Sequence, residues 1–187
     1  GELAGLTTYR VYVTTPNSDD FLTTVYGVEA TPLNISTTTT FYQNSIFGSF
    51  LGSSINPGVF QFDSELEYDS WLTIGLDQGA EDGETEPALT PNFPSSAFEA
   101  GGNLIINDII GGAIYLTSPD GASNGVSGTD QRILVAQLTT DGIISGTIHC
   151  QMYANTSPMD EDVFLAELSF NGTTGTYSPS CGCTDAT

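Results

Sequence analysis

Arg132-Ile133-Leu134-Val135-Ala136-Gln137-Leu138-Thr139-Thr140-Asp141-Gly142-Ile143 is the stretch whose reading decides the fold. Its first half is almost continuously apolar, the pattern of a central strand covered on both faces. Asp141-Gly142 then supplies the backbone freedom of a tight turn, and apolar residues resume at Ile143. The stretch reads as two strands, over 132–139 and 142–153, joined in a hairpin by Thr140-Asp141-Gly142-Ile143.

Working outward, Thr8-Tyr9-Arg10-Val11-Tyr12-Val13-Thr14 alternates, with Tyr9, Val11 and Val13 on one face and Arg10 and Tyr12 on the other. Further strands are predicted over 7–15, 21–28, 32–43, 68–76, 103–107, 112–117 and 163–171. Pro16-Asn17-Ser18-Asp19-Asp20, Ser118-Pro119-Asp120-Gly121 and Asn171-Gly172 separate them with turn chemistry. No window of about 11 residues shows helical periodicity free of Gly or Pro. The fold class that follows is all-β: an antiparallel two-sheet β-sandwich of jelly-roll or Greek-key type, with a closed barrel as the alternative. Residues 1–179 form this single domain and 180–187 a Cys-containing tail. Two loops are expected, an acidic Pro-containing one over 78–94 and a Gly-rich one over 118–128.

Charge narrows the partners. The 187 residues carry 23 Asp or Glu against two Arg and no Lys, a formal net charge of −21. Arg10 and Arg132 cannot neutralise a row of phosphates, so nucleic acid and anionic lipid surfaces are excluded. No apolar run approaches the roughly 20 residues that span a bilayer, so no membrane insertion is expected. Self-repulsion at this charge is best tolerated where salt and divalent cations screen it, which favours an extracellular setting. Residue 1 is Gly, as cleavage of a signal peptide would leave it, although cloning or trimming gives the same start.

Asn34, Asn155 and Asn171 each open an Asn-x-Ser/Thr sequon in turn-like or Thr-rich surroundings and are candidate glycosylation sites. The run over 36–40 suits O-glycosylation or, by β-propensity, a strand. Three cysteines are an odd number for a secreted chain. Cys150 is expected to pair with Cys181 or Cys183, closing a loop worth about 3 kcal/mol. Three reduced thiols in an intracellular protein are the alternative, and the spacing with His149 does not suit zinc.

Thr7-Thr8-Tyr9-Arg10-Val11-Tyr12, Thr38-Thr39-Thr40-Phe41-Tyr42-Gln43, Tyr68-Asp69-Ser70-Trp71-Leu72-Thr73-Ile74-Gly75 and the stretch over 132–140 together resemble a widespread secreted domain of aquatic microbes. The ending Gly182-Cys183-Thr184-Asp185-Ala186-Thr187 looks like the first half of a short Cys-containing repeat that follows such domains in large surface proteins. The resemblance covers most of the chain and implies an extracellular, modular, β-rich protein. It further implies that Cys183 bonds outside this chain, which leaves Cys150 with Cys181, and it brings no catalytic residue with it.

Asp63, Glu65, Glu67 and Asp69 alternate along the chain, so an extended backbone would set all four carboxylates on one face, able to hold Ca²⁺. A solvated edge that discourages aggregation is the competing reading. The acidic loop over 81–86 and Asp160-Glu161-Asp162 are similar candidates. Trp71 with Tyr68, beside Phe41 and Tyr42, would make an aromatic platform for sugars if Trp71 faced outward; a core role is the alternative. With 23 acidic residues a carboxylate pair carries no information about glycoside hydrolysis. His149 lacks a nucleophile elbow, and strand alternation points it away from Cys150. Residues 121–128 lack the helix and Lys of a phosphate cradle. The expected function is therefore non-enzymatic: an extracellular structural or adhesive module of a surface layer, appendage or fibre, partnered by itself or by neighbouring modules. A carbohydrate-binding module is the alternative, and no cofactor beyond Ca²⁺ is implied.

Overall fold

The structure, a computed structural model, describes residues 3–157, 159 and 162–179. Among these, eleven strands follow in chain order: β1 Thr7–Thr14, β2 Phe21–Gly27, β3 Leu33–Thr37, β4 Trp71–Leu72, β5 Ala88–Leu89, β6 Leu104–Ile106, β7 Gly112–Tyr115, β8 Arg132–Thr140, β9 Ile144–Tyr153, β10 Val163–Asn171 and β11 Thr174–Pro179. One sheet has the order β1-β8-β4, and the other runs β11-β10-β9-β2-β7-β5. In the larger sheet, β2 pairs with one half of the long strand β9 and β3 with the other, so these two lie end to end. β6 extends β3 as β7 extends β2. Every ladder is antiparallel and none joins the two sheets among the described residues. The protein is a two-sheet all-β sandwich, and the closed barrel is not formed.

β8 is buried at every position but Arg132 because β1 and β4 flank it and both faces are covered. Its inner face joins the main core, where Phe21, Leu22, Leu33, Leu104, Ile114, Ile133 and Leu138 lie between the sheets. Its outer face carries a second, smaller core in which Leu134 meets Trp71, Ile55 and Leu66, with Tyr12 and Phe60 at the margin. Short 3-10 turns at Gly52–Ser54, Pro57–Val59 and Ser64–Tyr68 build that cover.

The hairpin expected at Thr140-Asp141-Gly142-Ile143 is not formed. β8 and β9 belong to different sheets, so the turn is a corner between them. Threonine hydroxyls compete for the hydrogen bonds that would close a hairpin. Gly142 N–H donates to Thr140 Oγ1 (3.0 Å), Ile143 N–H to Thr38 Oγ1 (3.0 Å), and Thr39 Oγ1–H to Asp141 (2.6 Å). Thr140 Oγ1 also meets the hydroxyls of Thr37 (2.9 Å) and Thr39 (3.0 Å) and donates to the Thr40 carbonyl (2.8 Å). The Thr run thus ends the strand predicted over 32–43 at Thr37 and braces the corner instead. The tight hairpin lies further on, where Asn171 pairs with Thr174 across Gly172-Thr173.

The strand expected over 68–76 shrinks to β4, since Asp69 and Ser70 turn inward to make buried hydrogen bonds. The loop expected over 78–94 contributes β5 to the edge of the larger sheet. It is followed by one helical turn, Ser95–Glu99, which buries Phe98 against Phe41 (ring centroids 5.2 Å) and Phe50 (5.7 Å). A turn this short is held by its one buried ring, since so few residues cannot sustain a helix alone.

Candidate functional site

The smaller sheet is three strands wide with β1 at one edge, and residues of β9, β10 and β11 of the larger sheet lie beside β1. Among the described residues β1 pairs with β8 alone, so the backbone groups along its other edge have no strand partner. Beside that edge, between β1 and the β10–β11 hairpin, lie two adjoining hollows of about 300 and 290 Å³. Val11, Ile148, Leu168 and Phe170 line them, and Gly175 of β11 closes the far side. Leu168 and Phe170 are only half-buried while Ile148 beneath them is buried, so among the described residues the inner face of the larger sheet emerges here without a full cover. Phe170 lies across Gly146 of β9, where an added Cβ would come within 2.5 Å of its ring, so that glycine lets the ring lie flat on the sheet.

On its other side, β1 presents Arg10 and Tyr12 to the outer face of the small sheet. These two line an open cleft of about 480 Å³ together with Arg132, Asp77, Asp130 and Asn124. The alternation read in the sequence therefore holds: Tyr9, Val11 and Val13 pack on the main core and Tyr12 on the outer one. The register shift between Val11 and Tyr12 puts the extra residue, Val135, on β8 and leaves β1 regular.

The carboxylate row is not a row. Ser64–Tyr68 is a 3-10 turn with Asp63 as its N-cap, which accepts from Glu65 N–H (3.1 Å) and from Asn44 Nδ2 (2.8 Å). Glu65 and Glu67 remain at the surface, whereas Asp69 is fully buried. Its two oxygens accept backbone N–H bonds from Asn44 (2.7 Å) and Ser49 (2.9 Å). The alternation was correct for a strand, but capping fixed the segment as a turn instead. Among the described residues no group of three or more His, Cys, Asp or Glu side chains converges as a metal site would require. Asp160 and Glu161 lie outside the described residues.

Burial pushes the Asp69 carboxyl above the usual range, against the pull of the N–H groups that favour its ionised form. A raised folded pKa means a stability contribution fully present below the unfolded value of 3.8 and lost as pH rises through the folded value. Asp69→Asn is expected to abolish that part of the decline, so wild type loses unfolding free energy relative to the variant as pH rises through this window. Asp69→Ala, which orphans two buried N–H groups, is expected to cost about 2–5 kcal/mol. Urea melts at several pH values check both, and parallel pH profiles for wild type and Asp69→Asn would sink the first.

Trp71 is 2% exposed and sits in the outer core, so it offers no face to a sugar. Tyr68, at 38%, stands without it. The outward reading failed because the 3-10 turns cover the outer face that alternation assigned to Trp71. Cys150 is a free thiol among the described residues, packed in the main core, and burial pushes it up to about 12, so it stays protonated and unreactive at neutral pH. No disulfide forms among the described residues, and Cys181 and Cys183 lie outside them. His149 faces away from Cys150 and is buried beside Tyr26 (ring centroids 5.9 Å) and Glu167 (4.0 Å). Asn34, Asn155 and Asn171 are all exposed.

No protein-family model, curated protein or solved structure matches the chain.

Proposed function

We propose that this chain is a non-enzymatic extracellular structural module that assembles with further copies by adding an extended segment to β1. The observation that carries this reading is the edge of β1 that has no strand partner among the described residues, beside half-buried apolar side chains of β10. Exposed edges template pairing with other chains, and natural proteins blunt them with Lys, Pro, bulges or very short strands. β1 is eight residues long, has neither Lys nor Pro, and keeps its regular path. A strand laid along it would supply backbone hydrogen bonds and cover Leu168 and Phe170 with alternate side chains, the two components of strand addition. Three exposed sequons and the charge of −21 support an extracellular setting.

Sedimentation velocity on the full chain, with electron microscopy of the same samples, tests this. The expected result is concentration-dependent growth from the 19.7 kDa monomer to larger species that persist after chelation. A chain that stays monomeric up to millimolar concentration would overturn it.

A further inference from the structure

Arg10 and Arg132 are 122 positions apart and are the only Lys or Arg residues of the chain, yet they line one cleft of about 480 Å³ on the outer face of the small sheet. The β1–β8 ladder brings them together: Arg10 stands opposite Gln137, Tyr12 opposite Leu134 and Thr14 opposite Arg132, so the two arginines flank the Tyr12–Leu134 pair. Both guanidinium groups lie over aromatic rings, Arg10 5.9 Å from the centre of Trp71 and Arg132 4.6 Å from that of Tyr12. Arg10 is further fixed by its Nε–H bond to Gln137 Oε1 (3.2 Å). Gln137 is anchored in turn by donating to the carbonyls of Glu67 (3.0 Å) and Asp69 (2.9 Å). Rings and glutamine preorganise the forks, which lowers the entropy lost when they take a ligand.

The chain itself displays the chemistry that the forks take, since Asp77 lies 2.9 Å from Arg10 and Asp130 3.3 Å from Arg132. These pairs leave donors over: Nη2 of Arg10, and Nε and Nη1 of Arg132, donate to no partner among the described residues. Both arginine side chains are nearly half exposed, at 44% and 49%. No other side chain is placed to receive an anion, because the chain has no Lys and no third Arg, and its one histidine, His149, is buried in the larger sheet. The same cleft also offers acceptors, with Asp77, Thr129 and Asp130 exposed along it. Ionised carboxylates accept hydrogen bonds and donate none, so Asp77 and Asp130 call for hydroxyl or amide donors on whatever lies beside them.

We infer that this cleft binds a saccharide that carries carboxylates, a uronate oligomer. An anion made of acceptors alone, such as sulfate or phosphate, satisfies the forks but meets Asp77 and Asp130 as like charges. A neutral sugar satisfies the two aspartates and leaves the forks unused. A uronate answers both: its planar carboxylate matches an arginine fork bidentately, and its ring hydroxyls donate to the acids beside it. Two forks on either side of the Tyr12–Leu134 pair ask for two carboxylates on one ligand, hence an oligomer. The rings of Trp71 and Tyr12 already face guanidinium groups, so recognition here runs through charge and hydrogen bonds rather than through stacking. The site uses the outer face of the small sheet and not the free edge of β1, so it stands or falls apart from strand addition.

Isothermal titration calorimetry of the full chain with tetragalacturonate tests the inference, with the fully methyl-esterified tetramer and inorganic sulfate as controls and circular dichroism to confirm folding. Wild type is expected to bind the acid form, and to bind the ester, which keeps the rings and loses the charges, about tenfold or more weakly. Arg10→Gln/Arg132→Gln is expected to lose about tenfold or more toward the acid form. Arg10→Lys/Arg132→Lys, which keeps the charges and loses the forks, is expected to lose about threefold or more. Equal binding of acid and ester, or equal competition by sulfate, would overturn the assignment of a carboxylated sugar. A glutamine or lysine variant that binds like the wild type would overturn the role of the forks, and no binding up to millimolar tetragalacturonate would overturn the site. The ester and sulfate comparisons use the wild type alone, so they decide the matter even where a substituted chain fails to fold.

Discussion

A Leu168→Glu chain is expected to fold and to stay monomeric at concentrations where the wild type assembles, with its association constant reduced at least 100-fold. Leu168 is half-buried, lines the hollow beside Val11 and stands opposite Ile148 in the β9–β10 ladder. In the monomer a glutamate there keeps access to water, so the cost is the partial loss of apolar burial, about 1–2 kcal/mol. Under an added strand the same carboxylate would be closed off without a basic partner, because neither arginine is among the residues that line its hollow. Burying an unpaired charge costs several kcal/mol, and about 2.7 kcal/mol already corresponds to the 100-fold loss. Inward-pointing charges protect natural edge strands by this means. Leu168→Met, nearly equal in volume, is expected to assemble like the wild type. Sedimentation velocity across a dilution series decides between them. Assembly of Leu168→Glu at the wild-type concentration would mean that the incoming chain leaves the hollow open.

The strands that the sequence displayed are those whose residues satisfy one periodicity along their whole length. β10 was legible to the residue at Val163–Asn171, and β1, β2 and β9 to within two residues. β8 was recognisable as central because both of its faces are apolar. What the sequence concealed is partner choice. Asp141-Gly142 is a sound turn, but whether its flanking strands pair depends on hydroxyls contributed about 100 positions earlier by Thr37, Thr38 and Thr39. Likewise Asp63 to Asp69 alternate as a strand would, and the bonds they accept from Asn44, Ser49 and Glu65 reveal that two of those carboxylates are structural acceptors. β11, Thr-Gly-Thr-Tyr-Ser-Pro, has too few apolar residues to announce itself and exists because β10 offers it an edge. The open groove and the arginine cleft were invisible for the same reason. Each is assembled from strands distant in sequence, and neither carries a local motif.

The largest loss of stability expected from a single methyl group is at Gly75. Gly75 follows β4, donates its N–H to the Leu134 carbonyl (2.8 Å) and has φ of +79°, in the left-handed region that favours glycine. A Cβ there would lie 1.8 Å from the Asn124 carbonyl oxygen and 2.6 Å from its carbon. Backbone cannot rotate aside as a side-chain tip can, so the 3-10 turn Ser123–Gly125 has to move. Its buried Asn124 would then give up its Nδ2–H bonds to the Ile74 (2.7 Å) and Thr85 (3.1 Å) carbonyls. Strain, clash and orphaned polar groups together place Gly75→Ala among the exceptional substitutions, at about 4 kcal/mol or more, a fall in Tm of roughly 10 °C for a domain of this size. Gly121→Ala separates the contributions, since Gly121 has φ of +73° but nothing within 4 Å of the added carbon. It retains only the conformational penalty, about 1–2 kcal/mol. Calorimetry on the two variants measures the difference directly. Equal melting temperatures would show that the Asn124 turn yields freely and that left-handed strain alone explains the glycine.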